Sequence, residues 1–93
     1  MGRNNMKVQL DGHLMTDKAS LHDQLQEKLC FPEYYGRNLD ALYDLLTSLP
    51  EPIEIDLYGK ETMLQQLGAY GATFLVTLQE AEEDAPNLTL NIF

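Results

Sequence analysis

Apolar and polar residues alternate with period two in three short segments: Met6-Lys7-Val8-Gln9-Leu10, Ile53-Glu54-Ile55-Asp56-Leu57 and Leu88-Thr89-Leu90-Asn91-Ile92. Each reads as a strand with one apolar face. The stretches between them are long, and their apolar residues recur at helical spacing. Strands separated by helical crossovers predict a parallel sheet with right-handed connections. Asp11-Gly12 has turn chemistry, but no matching strand follows closely enough to make a hairpin. The expected fold class is α/β: a three-stranded parallel sheet packed with four helices. Residues 1–93 are expected to form one domain, with residues 1–5 a loose extension.

The first crossover holds two helical patterns. Ser20 is placed to cap the first, with Asp23 at its third position. Leu21, Leu25 and Leu29 follow at i, i+4 and i+8, and Pro32 is expected to end the helix. The loop Glu33-Tyr34-Tyr35-Gly36-Arg37 comes next. Asn38 is a good N-cap for a second helix running to about Leu49, before Pro50 and Pro52. In the second crossover, Glu61 to Leu67 fits a short helix. Gly68 suits a left-handed position at its end, and about Gly71 to Glu83 fits a longer one. Gly68, Gly71 and the dipeptide Tyr70-Gly71 read as helix punctuation.

Charge sharpens this picture. The chain of 93 residues has 15 Asp+Glu against 6 Lys+Arg, a formal net charge of −9. Up to position 37, Arg3, Lys7, Lys18, Lys28 and Arg37 balance Asp11, Asp17, Asp23, Glu27 and Glu33. Beyond it, Lys60 is the lone base, so the net charge lies in the second part. An acidic surface repels phosphates, which argues against a nucleic-acid partner and for a basic protein, although acidity also simply aids solubility. One cysteine, Cys30, precludes an internal disulfide and fits an intracellular, cytoplasmic setting. Cys30 is expected to be a buried structural thiol. The N-terminal residues resemble neither a signal peptide nor a myristoylation motif, and no apolar run is long enough for a membrane span.

Around the second helix, Leu39, Leu42, Leu46 and Leu49 share one stripe, with Tyr43 and Leu45 at its edges. Asp40 and Asp44, with Thr47 and Ser48, fall opposite. The two carboxylates lie one turn apart on one face and repel each other. The positive helix N-terminus favours Asp40 but not Asp44. No lysine or arginine within the helix offers a partner. A solvated face explains this arrangement, and so does a surface that receives cations. The adjacent Tyr34-Tyr35 pair favours the second, because amphipathic aromatics beside a charged patch mark interfaces.

The run from Pro32 to Asp44, Pro-Glu-Tyr-Tyr-Gly-Arg-Asn-Leu-Asp-Ala-Leu-Tyr-Asp, resembles the binding segment of the barstar family of ribonuclease inhibitors over 13 consecutive positions. The order of strands and helices and a late Glu80-Ala81 pair extend the resemblance from about Met6 to Phe93. The resemblance implies a stoichiometric inhibitor, not an enzyme, that blocks the active site of a basic ribonuclease. Asp44 resembles the aspartate that enters the nuclease site where a substrate phosphate sits, and Asp40 its neighbour. Tyr34 resembles the tyrosine that packs on the nuclease's catalytic histidine. Gly36 and Asn38 resemble residues that shape the loop, and Glu80 a peripheral acid on the fourth helix. The expected partner-binding set is Tyr34, Gly36, Asn38, Asp40, Tyr43, Asp44, Thr47 and Glu80. The chain departs from the family in Tyr43, where tryptophan is common, in Leu45, in Ser48-Leu49 and in Arg37. Arg37 replaces an acid and is expected to act as a like charge at the rim of the contact. The implied partner is an extracellular-type or toxin ribonuclease bound 1:1 in a bacterial toxin–immunity system.

The remaining residues carry weaker signals. Glu80-Ala81-Glu82-Glu83-Asp84 reads as a solvated helix end, with Glu80 best placed to reach a partner. It lacks the glycine-containing pattern of a calcium loop. His13 and His22 lack companions at metal-ligand spacing and read as surface residues. No cofactor motif is present. Two alternatives compete with the inhibitor: an acid/base enzyme using Asp40 and Asp44, and an acidic module for another basic protein. The enzyme needs one carboxylate desolvated relative to the other.

Overall fold

A computed structural model describes residues 6–93. The expected extension at residues 1–5 lies outside the described residues. The element order is β1 (Met6–Asp11), a 3₁₀ turn (Gly12–Leu14), α1 (Lys18–Leu29), α2 (Leu39–Thr47), β2 (Ile53–Tyr58), α3 (Lys60–Leu67), α4 (Ala69–Asp84) and β3 (Leu88–Ile92). The sheet has the order β1-β2-β3 and both pairings are parallel, so the α/β class with three strands and four helices holds.

Register aligns Val8 with Ile55 and Ile55 with Leu90. One sheet face thereby collects Val8, Leu10, Ile55, Leu57 and Leu88, all buried. Leu21 and Leu25 of α1, Leu42 and Leu46 of α2, and Phe74 and Leu78 of α4 join the same core. The alternate residues form a polar ladder. Lys7 lies 3.6 Å from the Asp56 carboxylate, and Asn91 donates to Asp56 at 2.8 Å and to Glu54 at 2.7 Å. These partners allow Asp56 to be buried in the central strand.

Several boundaries differ from expectation. Asp17, not Ser20, caps α1. The Asp17 carboxylate accepts from the Ser20 N–H at 2.8 Å, while the Ser20 hydroxyl accepts from the Asp17 N–H at 3.0 Å. Ser20 and Asp23 offered capping-box spacing, but Asp17 and Ser20 offer it one turn earlier, and the earlier start adds helical hydrogen bonds. At the other end, α1 stops before Pro32 acts. Cys30 turns left-handed at φ 56°, and the Cys30 and Phe31 N–H groups both return to the Gln26 carbonyl. Cys30 is therefore exposed at a helix end and is not the buried thiol expected.

The second helix ends at Thr47, not about Leu49. Asp11-Gly12 opens a 3₁₀ turn that the periodicity does not reveal. Gly12 is required there because a Cβ would stand 2.4 Å from the Gly59 carbonyl oxygen. Gly68 joins α3 to α4 at φ 59° and ψ −129°, outside the left-handed helical basin. Gly71 lies inside α4 rather than at its start, packed closely enough that a Cβ would approach the Met63 sulfur at 2.8 Å. No helix of the described residues is long and apolar enough to cross a membrane.

Candidate functional site

The loop between α1 and α2 separates two adjacent tyrosines. Tyr35 is buried and Tyr34 is 83% exposed. The Tyr35 N–H donates to the Pro32 carbonyl at 3.0 Å, and its ring packs on Phe31 with centroids 4.9 Å apart. The Tyr35 hydroxyl lies 2.6 Å from His22 Nδ1, and His22 Nε2 lies 2.7 Å from the Tyr70 hydroxyl. His22 is thus a buried bridge between α1, the loop and α4, not the surface residue expected. Burial, then the nearby Arg37 charge, lowers its pKa, while Asp23 opposes the shift. Burial raises the phenol pKa of Tyr35 and of Tyr70.

The loop then enters α2. Gly36 sits where a Cβ would approach Asn38 Nδ2 at 3.1 Å and the Ala41 Cβ at 3.3 Å, so the turn has little room for a side chain. Asn38 caps the helix. Its side-chain oxygen accepts from the Ala41 N–H at 2.7 Å, and its amide donates to the Gly36 carbonyl at 3.2 Å. Gly36 and Asn38 thus shape the approach to α2 and start it.

Asp40 and Asp44 project from α2 into solvent, with Tyr43 between them and half-buried. Leu42 and Leu46 turn the opposite side of α2 into the core. A concavity of about 440 Å³ lies between α2 and α4, lined by Leu39, Asp40, Tyr43, Asp44, Thr77 and Glu80. The structure thereby brings Asp40, Tyr43, Asp44 and Glu80 together. Tyr34, Gly36, Asn38 and Thr47 do not line this concavity. The Thr47 hydroxyl is engaged within its own helix, donating to the Tyr43 carbonyl at 2.8 Å.

Asp84 was missed in the sequence. The Tyr43 hydroxyl donates to its carboxylate. That bond raises the Tyr43 pKa, followed by burial and by the charges of Asp84, Glu80 and Asp44. Asp84 lies one turn beyond Glu80, and this i, i+4 spacing was the available signal. The run 80–84 is therefore not a uniformly solvated end. Glu82 turns away to accept the Leu90 N–H at 2.8 Å on the outer edge of β3.

Among the described residues, the Lys and Arg ion pairs are Lys7–Asp56 and Arg37–Asp23, neither in this concavity. Carboxylates gathered around a half-buried tyrosine, with no Lys or Arg in the lining, can receive cationic groups. A larger open hollow of about 700 Å³ lies between β1 and α1 and shares no residue with this site. Among the described residues, no group of three or more His, Cys, Asp or Glu is placed to hold a metal ion.

Fold and site define an α/β protein with an anionic face between two helices. Residues 5–92 match the family described as Barstar (barnase inhibitor). A Bacillus subtilis (strain 168) protein named "Putative ribonuclease inhibitor YrdF" is 43% identical over 79 residues, covering 84% of this chain and 87% of that protein. The chain belongs to the barstar family, a family of inhibitors rather than enzymes.

Proposed function

We propose that the chain is a stoichiometric inhibitor that occludes the active site of a basic ribonuclease with the face of α2 and α4 and the Tyr34 loop. The observation carrying this reading is the α2–α4 concavity, where Asp40, Asp44 and Glu80 meet around Tyr43 without a basic partner among the described residues. A ribonuclease holds phosphate with Arg, Lys and protonated His. Fixed carboxylates offer these groups a counter-charge with no cleavable bond. Tyr34 supplies exposed aromatic area, and Gly36 and Asn38 hold the loop that presents it. Tyr43 and Thr47 complete the contact, and Asp84 joins it through Tyr43. The chain works as one domain, binds 1:1, and serves as a bacterial cytoplasmic immunity protein against an extracellular-type or toxin nuclease.

Exposure of both aspartates weighs against acid/base catalysis, because neither is desolvated relative to the other. The experiment is a titration of barnase with the chain while RNA cleavage is followed. Cleavage is expected to fall to zero at one equivalent. Undiminished cleavage across a set of small basic ribonucleases would instead favour an acidic module for another basic protein.

A further inference from the structure

Arg37 does not stand as a free charge at the rim. Its backbone is left-handed at φ 57°, a conformation uncommon for a residue with a long side chain. Its guanidinium turns back onto α1. Nη2 donates to the Asp23 carboxylate at 2.7 Å and to the Ala19 carbonyl at 3.1 Å, and Nη1 donates to the Gln26 side-chain oxygen at 2.9 Å. Gln26 in turn donates to the Pro32 carbonyl at 3.2 Å, at the start of the same loop. Three α1 residues therefore grip the loop at both ends, and His22 between them reaches Tyr35 in its middle.

We propose that Arg37 is a positioning residue, whose grip on α1 fixes the turn that presents Tyr34 and starts α2 in a shape ready for the nuclease. The role rests on the inhibitor reading and adds a device that touches no partner group. A loop ordered in advance loses less entropy on binding. The charge-assisted bond to Asp23 and the two further bonds offset the left-handed backbone. The positive charge that the sequence placed at the rim is spent within the chain, so Arg37 does not repel a basic partner as a free lysine would.

The test uses the whole chain with two readouts: hydrogen exchange of the Tyr35 amide in the free protein, and binding kinetics with barnase as the probe. Arg37→Gln should speed exchange about tenfold, the size expected for losing bonds from a charged group. Asp23→Asn should speed it less, and the double variant no more than Arg37→Gln alone, because the two residues share a bond. Arg37→Gly, which suits the left-handed backbone but has no side chain to grip, should also speed it. Asp23→Asn should weaken barnase binding more than Glu27→Gln, an equal charge change one turn along α1 and outside the grip. Unchanged Tyr35 exchange in Arg37→Gln, or equal binding losses for Asp23→Asn and Glu27→Gln, would overturn the role. If exchange responds as expected but the unaltered chain binds no ribonuclease, the grip stands and the inhibitor reading fails.

Discussion

His22 carries a pH dependence that can be isolated from the acids. Its pKa in the folded chain is lowered from the ordinary 6.5, chiefly by burial. Above pH 6.5 the ring is neutral in both states and its contribution is fully present. As pH falls below 6.5, the unfolded chain takes up a proton that the folded chain resists, so stability declines until the lowered folded pKa is reached. Asp11 and Asp17 also have lowered pKa values, through bonds to His13 and Ser20 respectively, but they titrate below 3.8. Urea unfolding at pH 7 and pH 5 should therefore show a loss that largely disappears in His22→Gln, whatever that variant's baseline stability. An equal loss in the variant would place the titration elsewhere. The burial of His22 was not legible in the sequence because its hydroxyl partners lie 13 and 48 residues away. Periodicity finds apolar faces and gives no sign of a polar ring satisfied at both nitrogens.

Among the elements, α2 separates stability from function most cleanly. Leu42 is fully buried, and Leu42→Ala should cost about 2–5 kcal/mol through lost burial and a residual cavity. Asp40→Ala and Asp44→Ala remove exposed acids that repel each other, so their melting temperatures should stay level or rise slightly. Thermal melts that reverse this ranking would make the carboxylates structural. The strands and α2 were legible because burial follows their period-two and helical patterns and Asn38 is a strong cap. The start of α1 was not, because Asp17, Ser20 and Asp23 offer two competing capping boxes. The 3₁₀ turn depends on Gly12 passing close to Gly59, a contact between segments far apart in the chain. Asp40 and Asp44 were legible from their spacing on α2, and Glu80 from the late acidic run and the family resemblance. The contribution of Asp84 depends on how α4 packs beside Tyr43, which spacing within either helix does not specify.

For the whole molecule, several bases of the first part are engaged within the chain, while part of the second part's acidity gathers on one face. Lys7 is engaged by Asp56, Arg37 by Asp23, and Lys18 lies 4.6 Å from the centroid of the Tyr70 ring. Asp40 and Asp44 of α2 and Glu80 of α4, from the strongly negative part of the sequence, share the face between those helices, and Asp84 reaches it through Tyr43. This polarity should steer a basic partner toward that face and make association slow as salt rises. Within the face the two helices should contribute differently. In the complex proposed above, Asp44, on the same exposed side of α2 as Asp40, would be desolvated among the partner's cations. Its removal would leave those cations buried without a counter-charge. Such truncations cost about 2–5 kcal/mol or more, a range drawn in part from the barnase–barstar pair itself, and act mainly on dissociation. Glu80→Ala, at the α4 side, should instead slow association, and most of its effect should vanish at 1 M salt, where the Debye length is about 3 Å. Association and dissociation rates of both variants with barnase, at low and high salt, separate the two contributions. A larger loss from Glu80→Ala than from Asp44→Ala would move the centre of the contact from α2 to α4, and no loss from either would remove the acidic face from the mechanism.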